Sequence, residues 1–221
     1  MSDKPVGVIG AGSFGTTVAN LLAENSQVLI YARNQELLEQ MRSERKSHDY
    51  KLHDNIIPVA SLEELATSTE VIFPVVSSSG FRDMMRNVAP FLNPFHTLIH
   101  GTKGLDVSLP AGMTIADPEV QITRENVRTM SEVIQEESAV VKVGCLAGPN
   151  LAREIADHHP AATVVASRFE SVISEGQKLL RNDRFQVYGN KDLMGIELTG
   201  VLKNIIAIAS GALSGCLLYT S

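Results

Sequence analysis

Short apolar runs rich in β-branched residues alternate along the chain with segments in which apolar residues recur at helical spacing. Nearly all of these runs are apolar at successive positions, which is typical of strands buried on both faces of a sheet. Such strands, separated by helices, predict a parallel sheet covered by helices on both sides. The fold class is therefore α/β, with a Rossmann-like, doubly wound and mainly parallel sheet. The predicted strands are residues 6–9, 28–31, 71–76, 97–99, 140–146, 163–166 and 185–188.

The helical pattern changes character near residue 190. Residues 193–213 form one long helical pattern without strand signals, so we predict a sheet domain over residues 1–190 and the first helix of an all-α C-terminal domain over residues 191–215. Residues 43–53 and 106–123 lack periodicity and are predicted to be surface loops. The predicted helices of the sheet domain are residues 14–24, 35–45, 81–92, 125–136, 150–156 and 169–180.

Composition excludes several classes of protein. Nineteen Lys and Arg against 25 Asp and Glu give a net charge of −6, so no overall positive field gathers nucleic acid. The two cysteines form neither a disulfide framework nor a Cys/His cluster, so we predict no metal site and a cytoplasmic protein. The uncharged residues 5–23 include four glycines, unlike a signal sequence. Residues 205–219 are too few to cross a bilayer, so we expect no membrane span.

A glycine-rich turn follows the first predicted strand directly and opens the first predicted helix. Gly10, Gly12 and Gly15 have the spacing G-x-G-x-x-G. The first glycine allows a tight turn, the second lets a pyrophosphate approach the backbone, and the third lets helix and strand pack closely. The helix N-terminus then presents free N–H groups to the phosphates. A glycine turn without a ligand is the alternative, but the register of strand, turn and helix favours a dinucleotide site.

The residue at the end of the second predicted strand bears on the choice of dinucleotide. NAD-selective sites usually place a carboxylate there, about 20 residues after the glycines. This chain has Arg33 instead. A guanidinium can pair with the 2′-phosphate of NADPH, although a solvated arginine at a strand end is the simpler interpretation. The sequence therefore permits NADPH without excluding NADH.

Two lysines stand where ligands bind or where lysine is unusual. Lys103 follows the fourth predicted strand, at the edge where open α/β sheets bind ligands, and Lys203 interrupts an apolar helical pattern. A lysine in such a helix suits a proton donor to a ketone oxygen, although both lysines could simply reach water. Asn150 either caps the next helix or contacts a ligand. His100 is a weaker candidate, and Cys145 is expected to be a core residue.

Four stretches of the chain together resemble the bacterial type of NAD(P)-dependent glycerol-3-phosphate dehydrogenase. They occur in the family's order and cover nearly the whole chain as far as Gly215. The last two are long and specific to the family. The stretches are VIGAGSFGTTVA (residues 8–19), GTKGLD (101–106), AGPNLAREIA (147–156) and FQVYGNKDLMGIELTGVLKNIIAIASGALSG (185–215).

The resemblance implies an oxidoreductase that reduces dihydroxyacetone phosphate to sn-glycerol 3-phosphate with NADPH or NADH, for glycerophospholipid synthesis, and a homodimer at full length. It implies that Lys203 is the catalytic proton donor, assisted by Asn204. Substrate contacts are then expected from Lys103, Gly148, Asn150 and Lys203. The expected cofactor contacts are Gly10, Gly12, Ser13, Phe14, Gly15, Arg33, Tyr50, Ser78, Lys103 and Ala152.

The chain departs from the family's pattern in two places. Residues 76–79 read Val-Ser-Ser-Ser where the family usually has V-P-S, so the backbone around Ser78 is expected to differ. Beyond Gly215 the family continues into further helices, which carry an Asp for the active site and an Arg-Asn pair for the substrate phosphate. Residues 216–221 match none of this. We therefore expect a C-terminally truncated fragment with a non-native tail, an uncovered Lys203 helix, and weak or absent turnover.

Two other functions stay open from the sequence. A non-catalytic dinucleotide-binding module would bind NADPH but not dihydroxyacetone phosphate. A different dehydrogenase with the same two-domain plan would share the fold, since a fold does not fix a substrate. The stretches GTKGLD and GVLKNIIAIASG disfavour that second alternative.

Overall fold

The computed structural model describes residues 4–109, 112–114, 117 and 119–217, apart from the side chains of Asn204, Cys216 and Leu217. The strands are β1 (Val6–Ile9), β2 (Val28–Tyr31), β3 (Lys46–Ser47), β4 (Tyr50–Lys51), β5 (Ile56–Val59), β6 (Val71–Pro74), β7 (Thr97–His100), β8 (Leu105–Val107), β9 (Val127–Thr129), β10 (Lys142–Ala147), β11 (Ala161–Ser167) and β12 (Phe185–Asn190). The α-helices are α1 (Ser13–Ala23), α2 (Gln35–Ser43), α3 (Leu62–Ser68), α4 (Phe81–Val88), α5 (Met130–Glu137), α6 (Ala152–Ala156), α7 (Glu170–Leu180) and α8 (Leu193–Leu217).

Eight of the strands form one sheet in the order β12-β11-β10-β7-β6-β1-β2-β5. Neighbouring strands are parallel except β10 and β11, which are antiparallel. The strand order reverses beside β1, where β2 lies on one side and β6 on the other. In open α/β sheets, ligands bind outside the carboxyl ends of the strands at such a switch point. The sheet therefore confirms the predicted Rossmann-like fold and places the glycine-rich turn at its ligand-binding edge.

Helices cover both faces of the sheet because successive strand residues point to opposite sides. Val8 belongs to a core cluster that also holds Val18 of α1 and Val172 of α7. Its neighbour Ile9 belongs to a second cluster, which holds Phe81 of α4 among other helix residues. Runs that are apolar at every position therefore fill both layers at once, as predicted.

Several helices begin at a residue that caps them. The side chains of Asn34 and Ser61 accept hydrogen bonds from backbone N–H groups in the first turns of α2 and α3. Thr129 and Glu132 form a reciprocal capping box at the start of α5. These caps satisfy N–H groups that have no acceptor inside a helix.

The seven predicted strands are confirmed, but three other sequence predictions were wrong in part. The predicted loop 43–53 contains the hairpin of β3 and β4, and the predicted loop 106–123 begins within β8. The predicted helix 125–136 begins only at Met130, because residues 127–129 pair with β8 as β9. Strand β5 and helix α3 were not predicted.

Helix α8 packs on the sheet only near its beginning. Leu193 is buried with Cys145 and Ala166, whereas Ile206 and Ile208 are 64% and 73% exposed. By length and composition alone, residues 193–215 could also cross a membrane. A single helix of this kind is weak evidence for a membrane protein, because the core helix of a soluble protein passes the same test. The division into two domains near residue 190 stays a prediction.

Candidate functional site

The glycine-rich turn after β1 is packed tightly at two of its three glycines. Gly10 has φ +117°, and a Cβ there would lie 2.3 Å from the carbonyl oxygen of Val75. A Cβ at Gly15 would lie 2.0 Å from the carbonyl oxygen of Gly10. At Gly12, by contrast, a Cβ would meet no atom within 4 Å. The turn is therefore closed on its protein side and open at Gly12, where a phosphate can approach the backbone.

Helix α1 presents its N-terminus to this opening. Its N-cap is Gly12, no side chain caps it, and its first turn carries no acidic residue. The leading N–H groups of a helix have no acceptor within it and lie at the positive end of its dipole. The turn is held in place from behind, because the Ala11 carbonyl accepts hydrogen bonds from the hydroxyls of Ser47 (2.9 Å) and Thr16 (3.3 Å). These residues fit the pyrophosphate of a dinucleotide.

The loops after β6 and β7 complete this edge of the sheet. Ser78 begins a short 3₁₀ helix after β6 and lies against Gly104, where a Cβ would be 2.4 Å from the Ser78 Cβ. The ring of Phe14 lies against Gly101, where a Cβ would be 3.2 Å from its Cε1 atom. The structure therefore brings Ser78 and Phe14 to the loop that carries Lys103.

Lys103 and Lys203 converge on one backbone oxygen although they come from different elements. The Nζ atom of Lys103 lies 3.3 Å from the carbonyl oxygen of Gly148, and that of Lys203 lies 3.0 Å from the same oxygen. Lys103 Nζ also lies 5.5 Å from the centre of the Phe14 ring, within cation–π range. Phe14 lies in the first turn of α1, so this contact links Lys103 to the helix that follows the glycine-rich turn.

Lys203 affects the ammonium group of Lys103. Burial, together with the nearby charge of Lys203, lowers the pKa of Lys103 from 10.5 to about 8. Two like charges that share one carbonyl oxygen are costly unless a negative group joins them. The pair is therefore suited to binding an anion.

Asn150 is held by the sheet and does not cap α6. Its Nδ2 atom donates to the Thr163 hydroxyl at 2.8 Å, and that hydroxyl donates to the Ala147 carbonyl at 3.1 Å. The N-cap of α6 is Leu151, without a capping side chain. The Oδ1 atom of Asn150 is buried and has no hydrogen-bond partner among the described residues. Of the two roles left open by the sequence, only contact with a ligand stays a prediction.

Three predicted cofactor residues have no described contact with either lysine. Arg33 follows β2 with an exposed side chain, to which the described part of the chain gives no hydrogen bond or ion pair. Tyr50 lines a groove of about 1080 Å³ beside α1, which none of the three glycines lines. Ala152 lies on α6, and its carbonyl accepts a 3.4 Å hydrogen bond from the Thr17 hydroxyl of α1. Their contact with a cofactor stays a prediction.

Some of the earlier predictions fall outside what is described. The side chain of Asn204 is among the undescribed side chains, and residues 218–221 of the predicted tail lie outside the described residues. Among the described residues, no three His, Cys, Asp or Glu side chains form a group that could hold a metal ion.

A buried polar cluster that the sequence hardly indicated lies next to this site. Glu197 of α8 contacts His100 at the end of β7 and the backbone of Ser131 in α5. The sequence marks His100 only by its closeness to Lys103 along the chain, and neither Glu197 nor Ser131 is among the predicted site residues. The same signal that marked Lys203, a charge inside an apolar helical pattern, also marks Glu197. Cys145 is buried as predicted, and burial, followed by the nearby charge of Glu197, raises the pKa of its thiol.

The chain is similar to known proteins over most of its length. Residues 5–173 match the family model described as the NAD-dependent glycerol-3-phosphate dehydrogenase N-terminus. The glycerol-3-phosphate dehydrogenases (NAD(P)+) of Ectopseudomonas mendocina and Pseudomonas putida are 38% and 40% identical to it over 213 residues, which is 94% of this chain. The crystal structure of glycerol-3-phosphate dehydrogenase from Coxiella burnetii matches with a TM-score of 0.81 and 27% identity, over 97% of this chain and 62% of that one.

The chain spans 57% of the length of the two curated relatives. The matched residues include β1, the glycine-rich turn, α1 and the loop of Lys103, which lie at the sheet edge described above. The nucleotide is NAD or NADP, as the sequence predicts. The chain belongs to the NAD-dependent glycerol-3-phosphate dehydrogenase family and contains its N-terminal, NAD(P)-binding domain.

Proposed function

We propose that this chain carries the cofactor site and the proton-donating lysine of an enzyme that interconverts dihydroxyacetone phosphate and sn-glycerol 3-phosphate. One observation supports the proposal most directly. Two ammonium groups from different elements meet at the Gly148 carbonyl, 3.3 and 3.0 Å away, and Lys103 also lies over the Phe14 ring in the first turn of α1. The names of the relatives, glycerol-3-phosphate dehydrogenase (NAD(P)+), supply the substrate class.

The proposed chemistry needs a cofactor, a proton donor and a place for an anion. When bound, the nicotinamide supplies a hydride to C2 of the ketone, or accepts it in the reverse direction. Lys203 donates a proton from Nζ to the C2 carbonyl oxygen during reduction and takes it back during oxidation. The Nζ atom of Lys203 donates to a backbone carbonyl at 3.0 Å, which is a neutral acceptor. A substrate oxygen can therefore replace this acceptor without leaving a buried negative charge unpaired.

Lys103 has a different role in the proposal. A substrate phosphate carries negative charge and relieves the repulsion between the two ammonium groups. Because burial and Lys203 lower the pKa of Lys103 to about 8, binding of such an anion draws a proton onto Lys103 at mildly alkaline pH. Asn150 offers a further polar contact, since its buried Oδ1 atom has no partner among the described residues.

We propose that turnover by this chain is weak. From Leu202 onward the apolar residues of α8 are largely exposed, for example Ile205 at 62%. The side of the site that α8 forms is therefore open to water, which weakens electrostatic contacts to a substrate. A cytoplasmic location and a homodimer at full length stay part of the proposal.

Two titrations and a rate measurement test the proposed function. NADPH and NADH are titrated against the chain, and oxidation of NADPH is followed with dihydroxyacetone phosphate present. Lys203→Met is expected to bind NADPH as the parent does and to lose any measurable turnover. Lys178→Met, which changes an exposed lysine on α7, is the control and should leave both unchanged. Binding of NADPH without any effect of dihydroxyacetone phosphate would favour a non-catalytic dinucleotide-binding module.

A further inference from the structure

A buried acid–histidine cluster joins α8 to the sheet. Glu197 Oε1 accepts a 2.9 Å hydrogen bond from His100 Nε2 and another, also 2.9 Å, from the backbone N–H of Ser131. His100 and Glu197 have side chains only 2% and 6% exposed. The imidazole also packs edge-on against the Phe81 ring, with 5.9 Å between ring centres. One carboxylate oxygen therefore ties together α8, β7 and α5.

Each member of the acid–histidine pair lies shortly before one of the two lysines along the chain. His100 precedes Lys103 by three residues, and Glu197 precedes Lys203 by six residues on α8. Helix residues advance about 1.5 Å each, so the Glu197 contact fixes both the height and the rotation of the Lys203 side chain relative to β7. Beyond Glu197, the described contacts of α8 with the sheet edge are slight: Gly200 approaches Ala147, and Lys203 reaches Gly148.

We propose that Glu197 and His100 are positioning residues, which hold α8 in register against β7 so that the ammonium groups of Lys103 and Lys203 meet at the Gly148 carbonyl. This inference deepens the proposed function and rests on it for its catalytic meaning. The geometric part, the convergence of the two lysines, stands on the contacts alone.

The chemistry of the cluster favours positioning over simple stabilisation. Burying a carboxylate and an imidazole is costly, and apolar residues of similar size would stabilise such a contact about as well. Apolar residues would, however, allow α8 to slide or rotate, whereas two directed hydrogen bonds to one oxygen allow a single register. Burial raises the pKa of Glu197, but the hydrogen bonds and charge of His100 and the Ser131 N–H lower it overall, so the carboxylate stays ionised.

The titration of Lys103 reports the register of α8 without any need for turnover. Its pKa is lowered to about 8 by burial and by the closeness of Lys203. If α8 shifts, Lys203 moves away and the pKa of Lys103 rises toward its ordinary value of 10.5. Loss of the negative charge of Glu197 alone would act in the opposite direction and lower that pKa. The direction of the change therefore separates positioning from direct electrostatics.

The experiment is a pH titration of the lysine side chains by NMR in the 221-residue chain, with the Lys103 signal assigned by its loss in Lys103→Met. Glu197→Ala is expected to raise the pKa of Lys103 by about one pH unit or more. Glu197→Gln keeps an Oε1 atom that can accept both hydrogen bonds but loses the negative charge, so the pKa of Lys103 should stay at about 8 or fall below it. Leu38→Ala, a core change in α2 far from α8, controls for loss of stability and should not move it.

Three outcomes decide the matter. A higher Lys103 pKa in Glu197→Ala that is absent from Glu197→Gln supports positioning. In that case any turnover by Glu197→Ala should show a lower kcat, while the Kd of NADPH is unchanged. An unchanged or lowered Lys103 pKa in Glu197→Ala, or an equal change in Leu38→Ala, overturns the inference. If Glu197→Ala does not fold, His100→Phe, which keeps a ring against Phe81, replaces it with the same expected rise.

Discussion

Two glycines of the same turn are expected to respond in opposite ways to the same added methyl group. At Gly12 a Cβ would meet no atom within 4 Å, and the φ of −72° suits alanine. At Gly15 a Cβ would lie 2.0 Å from the backbone carbonyl oxygen of Gly10, which cannot move without disturbing the turn. Gly12→Ala therefore tests whether a ligand needs the open space at Gly12, and Gly15→Ala tests whether the fold needs the close packing at Gly15.

The magnitudes follow from these distances. Gly15→Ala forces backbone atoms apart and is expected to cost about 3 kcal/mol of unfolding free energy. For a chain of this size that corresponds to a fall in Tm of roughly 6–12 °C. Gly12→Ala changes an N-cap residue whose φ alanine tolerates, so its unfolding free energy should stay within about 0.5 kcal/mol of the parent value. Its methyl group occupies the approach of the pyrophosphate, so the Kd for NADPH should rise about tenfold or more, equivalent to about 1.4 kcal/mol.

Thermal unfolding and NADPH titration of both variants provide the assay. The expected result is a stable Gly12→Ala protein that binds poorly and a destabilised Gly15→Ala protein. If Gly12→Ala binds NADPH like the parent, the pyrophosphate does not lie over the open side of the turn and the cofactor site has been placed wrongly. A Gly15→Ala protein as stable as the parent would show that the turn can relax, and the packing argument would fail.

The remaining predictions concern charged residues. Arg33→Ala should raise the Kd of NADPH about tenfold and leave that of NADH unchanged, because a guanidinium pairs with the 2′-phosphate; an unchanged ratio of the two Kd values removes Arg33 as the selector. The pKa of Lys103 is about 8 in the folded chain against an ordinary 10.5, so protonating Lys103 destabilises the fold. Its favourable contribution to the unfolding free energy is therefore fully present above pH 10.5 and is lost as the pH falls through about 8. Lys103→Met should therefore be stabilised relative to the parent in urea denaturation at pH 7, by a margin that shrinks toward pH 10.5; a margin independent of pH contradicts this. Arg82 bridges carboxylates of β8 and α5, and Arg82→Met should lose about 2 kcal/mol of unfolding free energy, whereas Arg42→Met, with an exposed partner, should lose under about 0.5 kcal/mol. Equal losses in both would show that the Arg82 network adds nothing beyond a surface pair.

The sheet could be predicted from the sequence because its strands are buried on both faces. A strand such as Val6–Ile9 must be apolar at every position when Val8 and Ile9 enter different core layers. Strand β5 was missed for a different reason. Its residues Ile56–Val59 include Pro58, and proline argues against a strand inside a sheet, whereas β5 lies at the edge of the sheet, where proline is tolerated.

The polar hairpin of β3 and β4 could not be predicted, because its role is set by contacts across the fold. Arg45 and His48 have positive φ values, which are uncommon for residues other than glycine. Ser47 is buried, and its hydroxyl donates to the Ala11 carbonyl in the glycine-rich turn. A polar residue of this kind indicates a loop when read along the chain, although it supports the cofactor site in space.

The candidate site could likewise be predicted only in part, because a side chain can be recognised in the sequence while its binding partner cannot. Lys203 could be singled out because a charge in an apolar helix needs a reason, but its acceptor is a backbone carbonyl, and Gly148 carries no side chain to indicate it. Glu197 shows the same kind of charge, and its partners lie 97 and 66 residues away along the chain. The parallel strands bring these distant segments together, because β1, β6, β7 and β10 all end at one edge of the sheet. Single residues can therefore be identified from the sequence. The meeting of the two lysines at the Gly148 carbonyl, however, depends on how α8 is held against that edge, and we propose that the Glu197 contact holds it there.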